Sequence, residues 1–302
     1  MRIMLVANKF LPRSGKMRID NAYWNVYIPL VEMGHEVRFY DTYFGEEKSF
    51  ESIVEDFKPE LIFSILTFNK NFVKFEPIEQ IKSITKKGNI KTFNWFCDDT
   101  WRFKTLSSKV CWDFTACSTP EPDYIHRYKE IGYTNILLGC WHTNSDFSFQ
   151  NSHKTFDVSF CGHQNSQRST IFGSLGALAN VFSNLSQEDM MLNYSMSKVG
   201  LNLSINENDP ERKTQMKLRM VEIPSTKSVL LTEYTPGLEH LFEEDKEIVT
   251  FSSEGEMKEK MKALLKHNSL REKIAAAGYE RFLKEHESKV RLTKLLSEIA
   301  SL

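Results

Sequence analysis

Basic and carboxylate side chains that could bind a charged ligand concentrate in the second half of the sequence. Arg168 ends a short polar loop that begins at Gly162, and Lys217 and Arg219 flank the start of a predicted helix that carries Glu222 one turn later. Arginine and lysine stabilise negative charge, and a carboxylate accepts hydrogen bonds from two neighbouring hydroxyl groups. These residues are candidates for a local anion-binding site. The alternative for each is an ordinary solvated surface charge.

Familiar nucleotide and hydrolase motifs are absent from the sequence. It contains no Gly-x-Gly-x-x-Gly, and Ser14-Gly15-Lys16 lacks the upstream glycine of a P-loop. Gly-x-Ser-x-Gly and His-Glu-x-x-His are also absent. NAD-dependent redox chemistry, nucleotide hydrolysis and metallopeptidase activity are therefore disfavoured.

Composition indicates an ordinary globular protein. The chain has 302 residues, of which 41% are hydrophobic and 26% charged, and its formal net charge is -1. This charge gives no overall attraction to nucleic acid or to an anionic membrane. Five cysteines without a Cys-x-x-Cys pair predict no zinc site, and no apolar run suits a signal peptide or a membrane span. We expect a cytoplasmic protein.

Hydrophobic patterning predicts two series of alternating strands and helices around parallel sheets. A helix capped by Asp20 and ending at Gly34 follows the first strand. Ser186 begins a helix in the second series, with Asp189 three residues on. A polar stretch at residues 144–153 separates the two series, so we predict domains at residues 1–153 and 154–302. The predicted strands are residues 3–7, 36–40, 60–65, 90–96, 113–118 and 135–138, then 157–161, one near 181, 198–203, 228–232 and 247–251.

Three short motifs resemble one enzyme family. They are Arg219-x-x-Glu222, Thr235-Pro-Gly-Leu-Glu239 and the segment Ala-Ala-Gly-Tyr-Glu-Arg that ends at Arg281. Together with the order of elements, they resemble the C-terminal half of the glycosyl transferases group 1 families, in particular the branch of CgeB-like spore-maturation proteins. The resemblance implies an α/β protein with the GT-B fold: two facing Rossmann-like domains, each a doubly wound parallel sheet, with a cleft between them. It also implies that the last helix, around residues 292–299, packs back on the first domain.

The resemblance assigns the nucleotide-sugar site to the second domain. The residue matching Glu222 accepts hydrogen bonds from the ribose hydroxyls in these families. Gln215 stands where many relatives carry a second glutamate, and residues 157–198 are short for the family. The residues expected to hold the diphosphate, through side chains or through backbone N–H groups at a helix start, are Gly162, Arg168, Lys217, Arg219, Thr235 and Gly237.

Candidate catalytic residues follow from the same resemblance. Asp98 or Asp99 could deprotonate the acceptor hydroxyl, although helix capping is an alternative for one of them. His163 could bond a phosphate or a sugar hydroxyl, although a lone histidine is more often structural. Arg168 would stabilise the leaving diphosphate. A long basic loop, from Arg13 to Arg18, would face the cleft or remain an ordinary surface loop.

The resemblance implies a glycosyltransferase of the hexosyltransferase type. It would move a sugar from a UDP- or GDP-sugar to a hydroxyl acceptor without a metal or a further cofactor. Nucleic acid is not expected as a partner, and contact with the membrane would be peripheral. Two alternatives stay open: a nucleotide-sugar epimerase of the same fold, and a non-catalytic nucleotide-sugar-binding module, which Gln215 and the short 157–198 segment favour.

Overall fold

The computed structural model describes residues 1–13, 16–69, 73–151, 153–204 and 214–302. Ser14 and Gly15 of the basic loop lie outside the described residues, as does most of the charged loop before Lys217. The chain divides into two compact units. Unit 1 comprises Met1–Cys140 and Ser288–Leu302, and unit 2 comprises Trp141–Glu287.

The described part of unit 1 contains a parallel sheet of six strands in the order β4-β1-β5-β6-β7-β8, and an antiparallel hairpin of β2 and β3. The interior strand β1 is buried on both faces from Ile3 to Val6. Such a continuous apolar run is typical of a parallel strand that is covered by helices on both sides. The strands are β1 (Arg2–Ala7), β2 (Phe10–Arg13), β3 (Lys16–Ile19), β4 (Glu36–Asp41), β5 (Leu61–Ser64), β6 (Lys91–Trp95), β7 (Ala116–Thr119) and β8 (Ile136–Leu138).

Helices connect these strands. The helix after the hairpin begins with a π-helical turn, Tyr23–Tyr27, and Asp20 accepts a hydrogen bond from the N–H of Ala22 just before it. Gly34 follows this helix with a positive φ of 83°, as the predicted end requires. The helices of this part of the chain are α1 (Ile28–Glu32), α2 (Phe50–Phe57), α3 (Ile78–Lys87), α4 (Asp99–Arg102), α5 (Ser108–Val110) and α6 (Tyr124–Glu130).

Unit 2 contains a second parallel sheet, with its described strands in the order β10-β9-β11-β12-β13. The short 157–198 segment contains two helices and an edge strand. The strands are β9 (Phe156–Cys161), β10 (Asn180–Phe182), β11 (Ser197–Asn202), β12 (Val229–Glu233) and β13 (Val249–Phe251). The helices are α7 (Ser166–Leu175), α8 (Gln187–Ser195), α9 (Arg219–Ser225), α10 (Glu254–Lys266) and α11 (Asn268–Arg281).

The strand order of unit 2 places a topological switch point between β9 and β11. The chain leaves β9 for β10 on one side and returns to β11 on the other. In open α/β sheets the loops at the carboxyl ends of the strands separate at this point and form a ligand-binding crevice. The loops that follow β9 and β11 are therefore the expected location of a ligand in unit 2.

The division between the units lies at Cys140 and Trp141, whereas the sequence placed the boundary at residues 153 and 154. The polar residues after Trp141 resemble a linker in composition, but the first of them, His142, Thr143 and Asn144, are buried within unit 2. Thr143 donates its N–H to His286 O at 3.4 Å, and Ser145 Oγ lies 3.4 Å from Glu287 Oε1. Tertiary hydrogen bonds, which composition does not reveal, hold this segment in unit 2.

The last helix, α12 (Ser288–Ser301), belongs to unit 1. Leu292, Leu296 and Ile299 are buried on its inner face. Lys91 at the start of β6 donates from Nζ to the carbonyls of Ile299 and Ala300 at 3.1 and 2.7 Å. These bonds satisfy carbonyl groups that have no partner within the last turn of a helix.

Candidate functional site

Arg219 joins the carboxyl ends of β9 and β11 at the switch point. Its Nη1 donates to Cys161 O at 3.0 Å, and its Nε donates to Asn202 Oδ1 at 3.0 Å. The guanidinium lies over the Phe160 ring, with Cζ 4.9 Å from the centroid. A positive charge is thus fixed at the edge where unit 2 is expected to bind its ligand.

The Arg219 side chain occupies the space that a side chain at residue 162 would need. A Cβ at residue 162 would lie 2.2 Å from Arg219 Nη1, well inside any normal contact. The N–H of Gly162 donates to Phe182 O at 2.9 Å and so extends the pairing of β9 with β10. The prediction that this N–H binds phosphate was therefore wrong, since the sheet already uses it.

Arg168 holds the two switch-point loops together. It is 8% exposed, and its Nη1 and Nη2 donate to His163 O and Leu203 O at 2.8 and 3.1 Å. Its own N–H is capped by Asn165 Oδ1 at 2.9 Å, which begins helix α7. These contacts use the guanidinium to order the backbone around the site.

Glu233, at the end of β12, completes this edge, although the sequence had assigned it no role. Its Oε2 accepts the N–H of Ser204 at 3.0 Å. Burial raises the pKa of this carboxyl, while the bond from Ser204 and the positive charge of Arg168 act in the opposite direction. Glu233 therefore ties the loop after β11 to β12 and faces the arginine that orders it.

Glu222 lies on α9, one turn after Arg219, and is only 2% exposed. Gln187, the first residue of α8, donates from Nε2 to Glu222 Oε1 at 2.7 Å. Helix α8 follows β10, so its first residue lies at the carboxyl edge of the sheet. The sequence did not identify Gln187; its only signal was its position directly after the predicted cap Ser186.

The segment after β12 does not begin an α-helix at Pro236. Only a three-residue 3-10 helix, Leu238–His240, follows, and it begins after Gly237, whose φ is 89°. The prediction of an anion site at a helix N-terminus was therefore wrong, because so short a helix has no substantial dipole. Thr235 is buried, with its Oγ1 3.5 Å from Glu233 O.

The remaining unit 2 candidates surround this edge. His163 is exposed, and its described contact is through its carbonyl, which accepts from Arg168. Lys217 is half-buried directly before α9, where its carbonyl accepts the N–H of Met220 at 2.9 Å. Gln215 is buried, and its N–H donates to Ser204 O at 3.1 Å. The structure thus brings these residues to the same edge as Arg168 and Arg219.

The two neighbouring aspartates of unit 1 differ sharply in environment. Asp98 is half-buried at the N-cap position of α4, without a capping bond from its side chain. Asp99 has 0% exposure, and its Oδ2 accepts from the hydroxyl of Tyr128 at 2.9 Å. Burial raises the pKa of the Asp99 carboxyl to about 6, although hydrogen bonds from Ser107, Thr119 and Tyr128 oppose this rise. Asp98 is therefore the more accessible member of the pair.

Two features are absent from the described residues. They contain no group of three or more histidine, cysteine or acidic side chains that could hold a metal ion. Among the helices of the described ranges, none is both long and apolar enough to cross a membrane.

Solved structures share this fold over the whole chain. Sucrose-phosphate synthase from Thermosynechococcus elongatus matches with a TM-score of 0.68 and 9% identity over 99% of both chains. HepE from Anabaena in complex with UDP matches with a TM-score of 0.66 and 7% identity over 100% of both chains. A glycosyltransferase from Rickettsia africae gives 0.63 and 10% identity over 99% of this chain and 98% of its own. The chain thus has the GT-B fold that its sequence predicted.

The family follows from the sequence match. The model of the glycosyl transferase-like family covers residues 142–297, which is more than half of the chain, and this protein belongs to that family. No curated protein matches the chain in sequence. The protein is therefore a glycosyltransferase, and its family match includes every residue of the edge described for unit 2.

Proposed function

We propose that this protein transfers a hexosyl group from a UDP- or GDP-sugar to a hydroxyl acceptor, and that unit 2 binds the donor nucleotide. The observation that carries the proposal is the placement of Glu222 and Arg219 on one turn of α9, at the carboxyl edge of the sheet. The carboxylate is suited to accept from the two ribose hydroxyls, and the guanidinium is suited to face the diphosphate.

In this proposal the residues at this edge supply positive charge that is already in place before the reaction. Negative charge grows on the diphosphate as the bond to the sugar breaks, and fixed cations stabilise it without reorganisation at that moment. Arg219 is fixed by Cys161, Asn202 and Phe160. In this proposal Arg168 acts indirectly, because its described contacts order the loops that surround the diphosphate.

The acceptor side of the proposal rests on unit 1. Asp98 follows β6 at the carboxyl edge of that sheet and is accessible, so it is the candidate base for the acceptor hydroxyl. Asp99 supports α4 from the interior. His163 remains a candidate for contact with the donor because its side chain is exposed.

Several finer properties belong to the same proposal. We place the protein in the CgeB-like branch, in the cytoplasm and in the hexosyltransferase class. We expect activity without a metal or a further cofactor, and any contact with a membrane to be peripheral. Solved structures of the same fold bind UDP or UDP-glucose, which supports a uridine nucleotide as the first donor to test.

Calorimetric titration of UDP and GDP tests the donor site. Glu222→Ala should weaken binding of the preferred nucleotide about 10- to 100-fold, because it removes hydrogen bonds to a charged group worth about 1.5 to 3 kcal/mol. Glu280→Ala is the matched control, since Glu280 is exposed on α11 of the same unit. Unchanged affinity in a folded Glu222→Ala variant would refute the assignment.

Product analysis by mass spectrometry tests the reaction. Wild-type protein incubated with UDP- and GDP-sugars and a panel of hydroxyl acceptors should release the nucleoside diphosphate and add a sugar mass to one acceptor. An isomerised donor without transfer would instead indicate the epimerase. Tight nucleotide binding without any product would indicate a binding module.

A further inference from the structure

A neutral amide holds the buried carboxylate of the proposed donor site. Glu222 Oε1 accepts from Gln187 Nε2 at 2.7 Å, and the two residues are 35 positions apart in the sequence. Gln187 is itself well anchored, because Ser186 caps α8 by accepting the N–H of Asp189 at 3.1 Å. Tyr194, at the other end of this helix, is fully buried. The amide is therefore presented from a fixed helix end.

We propose that Gln187 is a positioning residue that sets donor affinity through Glu222. The inference rests on the proposed function, in which Glu222 binds the ribose. A donated hydrogen bond fixes the plane of the Glu222 carboxylate. The carboxylate then enters the complex already oriented.

The chemistry of glutamine suits this task. Its amide supplies an N–H donor without adding charge, so this hydrogen bond does not itself offset the negative charge of Glu222. Arginine or lysine at residue 187 would donate as well, but would neutralise that charge. Alanine would leave the carboxylate buried without this bond, and glutamate would place a second negative charge against it.

Other ionisable groups of the described residues also act on this pair. Cys161 on β9 and Tyr194 on α8 both interact electrostatically with Glu222, and burial raises the pKa of the Cys161 thiol to about 12 and that of Tyr194 well above its usual value. Neither group ionises between pH 5.5 and 8.5. Arg219 on α9 and the acidic residues Glu188 and Asp189 on α8 are present in every variant. Their contributions to nucleotide affinity therefore cancel when the variants are compared.

The decisive variant is Gln187→Glu, with UDP affinity measured by calorimetry from pH 5.5 to 8.5. Two carboxyl groups at hydrogen-bond distance share one proton, which is lost as the pH rises. At low pH the introduced carboxyl donates an O–H in place of the amide, whereas at high pH it repels Glu222. We expect binding about tenfold weaker than wild type at pH 8.5, and recovery to within about threefold at pH 5.5.

Two further variants separate positioning from folding. Gln187→Ala should weaken UDP binding by a similar factor at every pH, with thermal unfolding within a few degrees of wild type. Gln80→Glu makes the same charge change on α3 of unit 1 and should bind like wild type throughout. A purely structural Gln187 would lower the unfolding temperature and leave the affinity of the folded protein unchanged at all pH values.

The outcomes distinguish this inference from the proposed function. If wild type binds neither UDP nor GDP, or if Glu222→Ala binds like wild type, the donor site is misassigned and the role of Gln187 is overturned with it. If Glu222→Ala loses affinity while Gln187→Glu shows wild-type affinity at every pH, only the positioning role is overturned. Weakened binding that recovers at low pH in Gln187→Glu supports it.

Discussion

Replacement of Asp99 by asparagine should stabilise the protein at neutral and alkaline pH. Asp99 is fully buried, and its pKa is raised from 3.8 to about 6, mainly by burial. The folded state therefore binds a proton more tightly than the unfolded chain does. Above pH 6 the protein must hold this carboxylate ionised inside unit 1, and asparagine removes that cost while its amide oxygen still accepts from Tyr128.

The magnitude follows from the pKa. Each tenfold difference in proton affinity between the folded and unfolded states corresponds to about 1.36 kcal/mol. A rise from 3.8 to about 6 destabilises the folded state by about 3 kcal/mol once the carboxyl is ionised. The stabilising contribution of the protonated form is complete below the unfolded pKa of 3.8 and is lost as the pH rises through about 6. The advantage of asparagine should thus be about 3 kcal/mol at pH 8 and about half of that at pH 5.

Thermal unfolding measured by circular dichroism at pH 5, 6, 7 and 8, at constant ionic strength, tests this prediction. About 3 kcal/mol corresponds to a rise in Tm of roughly 6 to 12 °C at pH 8 in a unit of this size. Asp98→Asn is the control, because it makes the same change at a half-buried neighbour and should show a small effect. A gain in Tm that is equal at all four pH values, or a loss at pH 8, would refute the reasoning.

Three further predictions concern the donor edge. Gly162→Ala should displace the Arg219 guanidinium, since the new Cβ would lie 2.2 Å from its Nη1. We expect nucleotide binding, measured by calorimetry, to weaken about tenfold. Gly173→Ala is the control, because nothing lies within 4 Å of a Cβ at residue 173. Arg168→Ala should lower both Tm and turnover, because two loop carbonyls lose their donor. Unchanged Tm and turnover in thermal and kinetic assays would refute a role for these two bonds in ordering the donor edge. Sugar transfer should persist after exhaustive EDTA treatment, and complete loss that only magnesium or manganese restores would contradict the metal-free proposal.

The strands and their loops were predictable because continuous apolar runs specify buried parallel strands. Residues 3–7 and 157–161 correspond to β1 and β9. Once parallel sheets were predicted, the segments that follow β9 and β11 had to lie at one edge, which is why Arg168 and Arg219 were identified together. The cap at Ser186 was also readable, since it depends on residues within a single helical turn.

The tertiary structure decided which of these charges is available to a ligand. Asp98 and Asp99 are identical in type and adjacent, but successive side chains point in different directions on a helix, and only Asp99 faces Tyr128, 29 residues away. Arg168 donates to the Leu203 carbonyl, 35 residues distant, and nothing in the sequence indicated this contact between two loops. The sequence by itself determined the fold class and the edge where we propose that the donor binds, because both depend on local patterns. Burial and hydrogen-bond partners depend on residues far apart in the chain, so only the folded structure paired Gln187 with Glu222 and showed that Asp99 is buried against Tyr128.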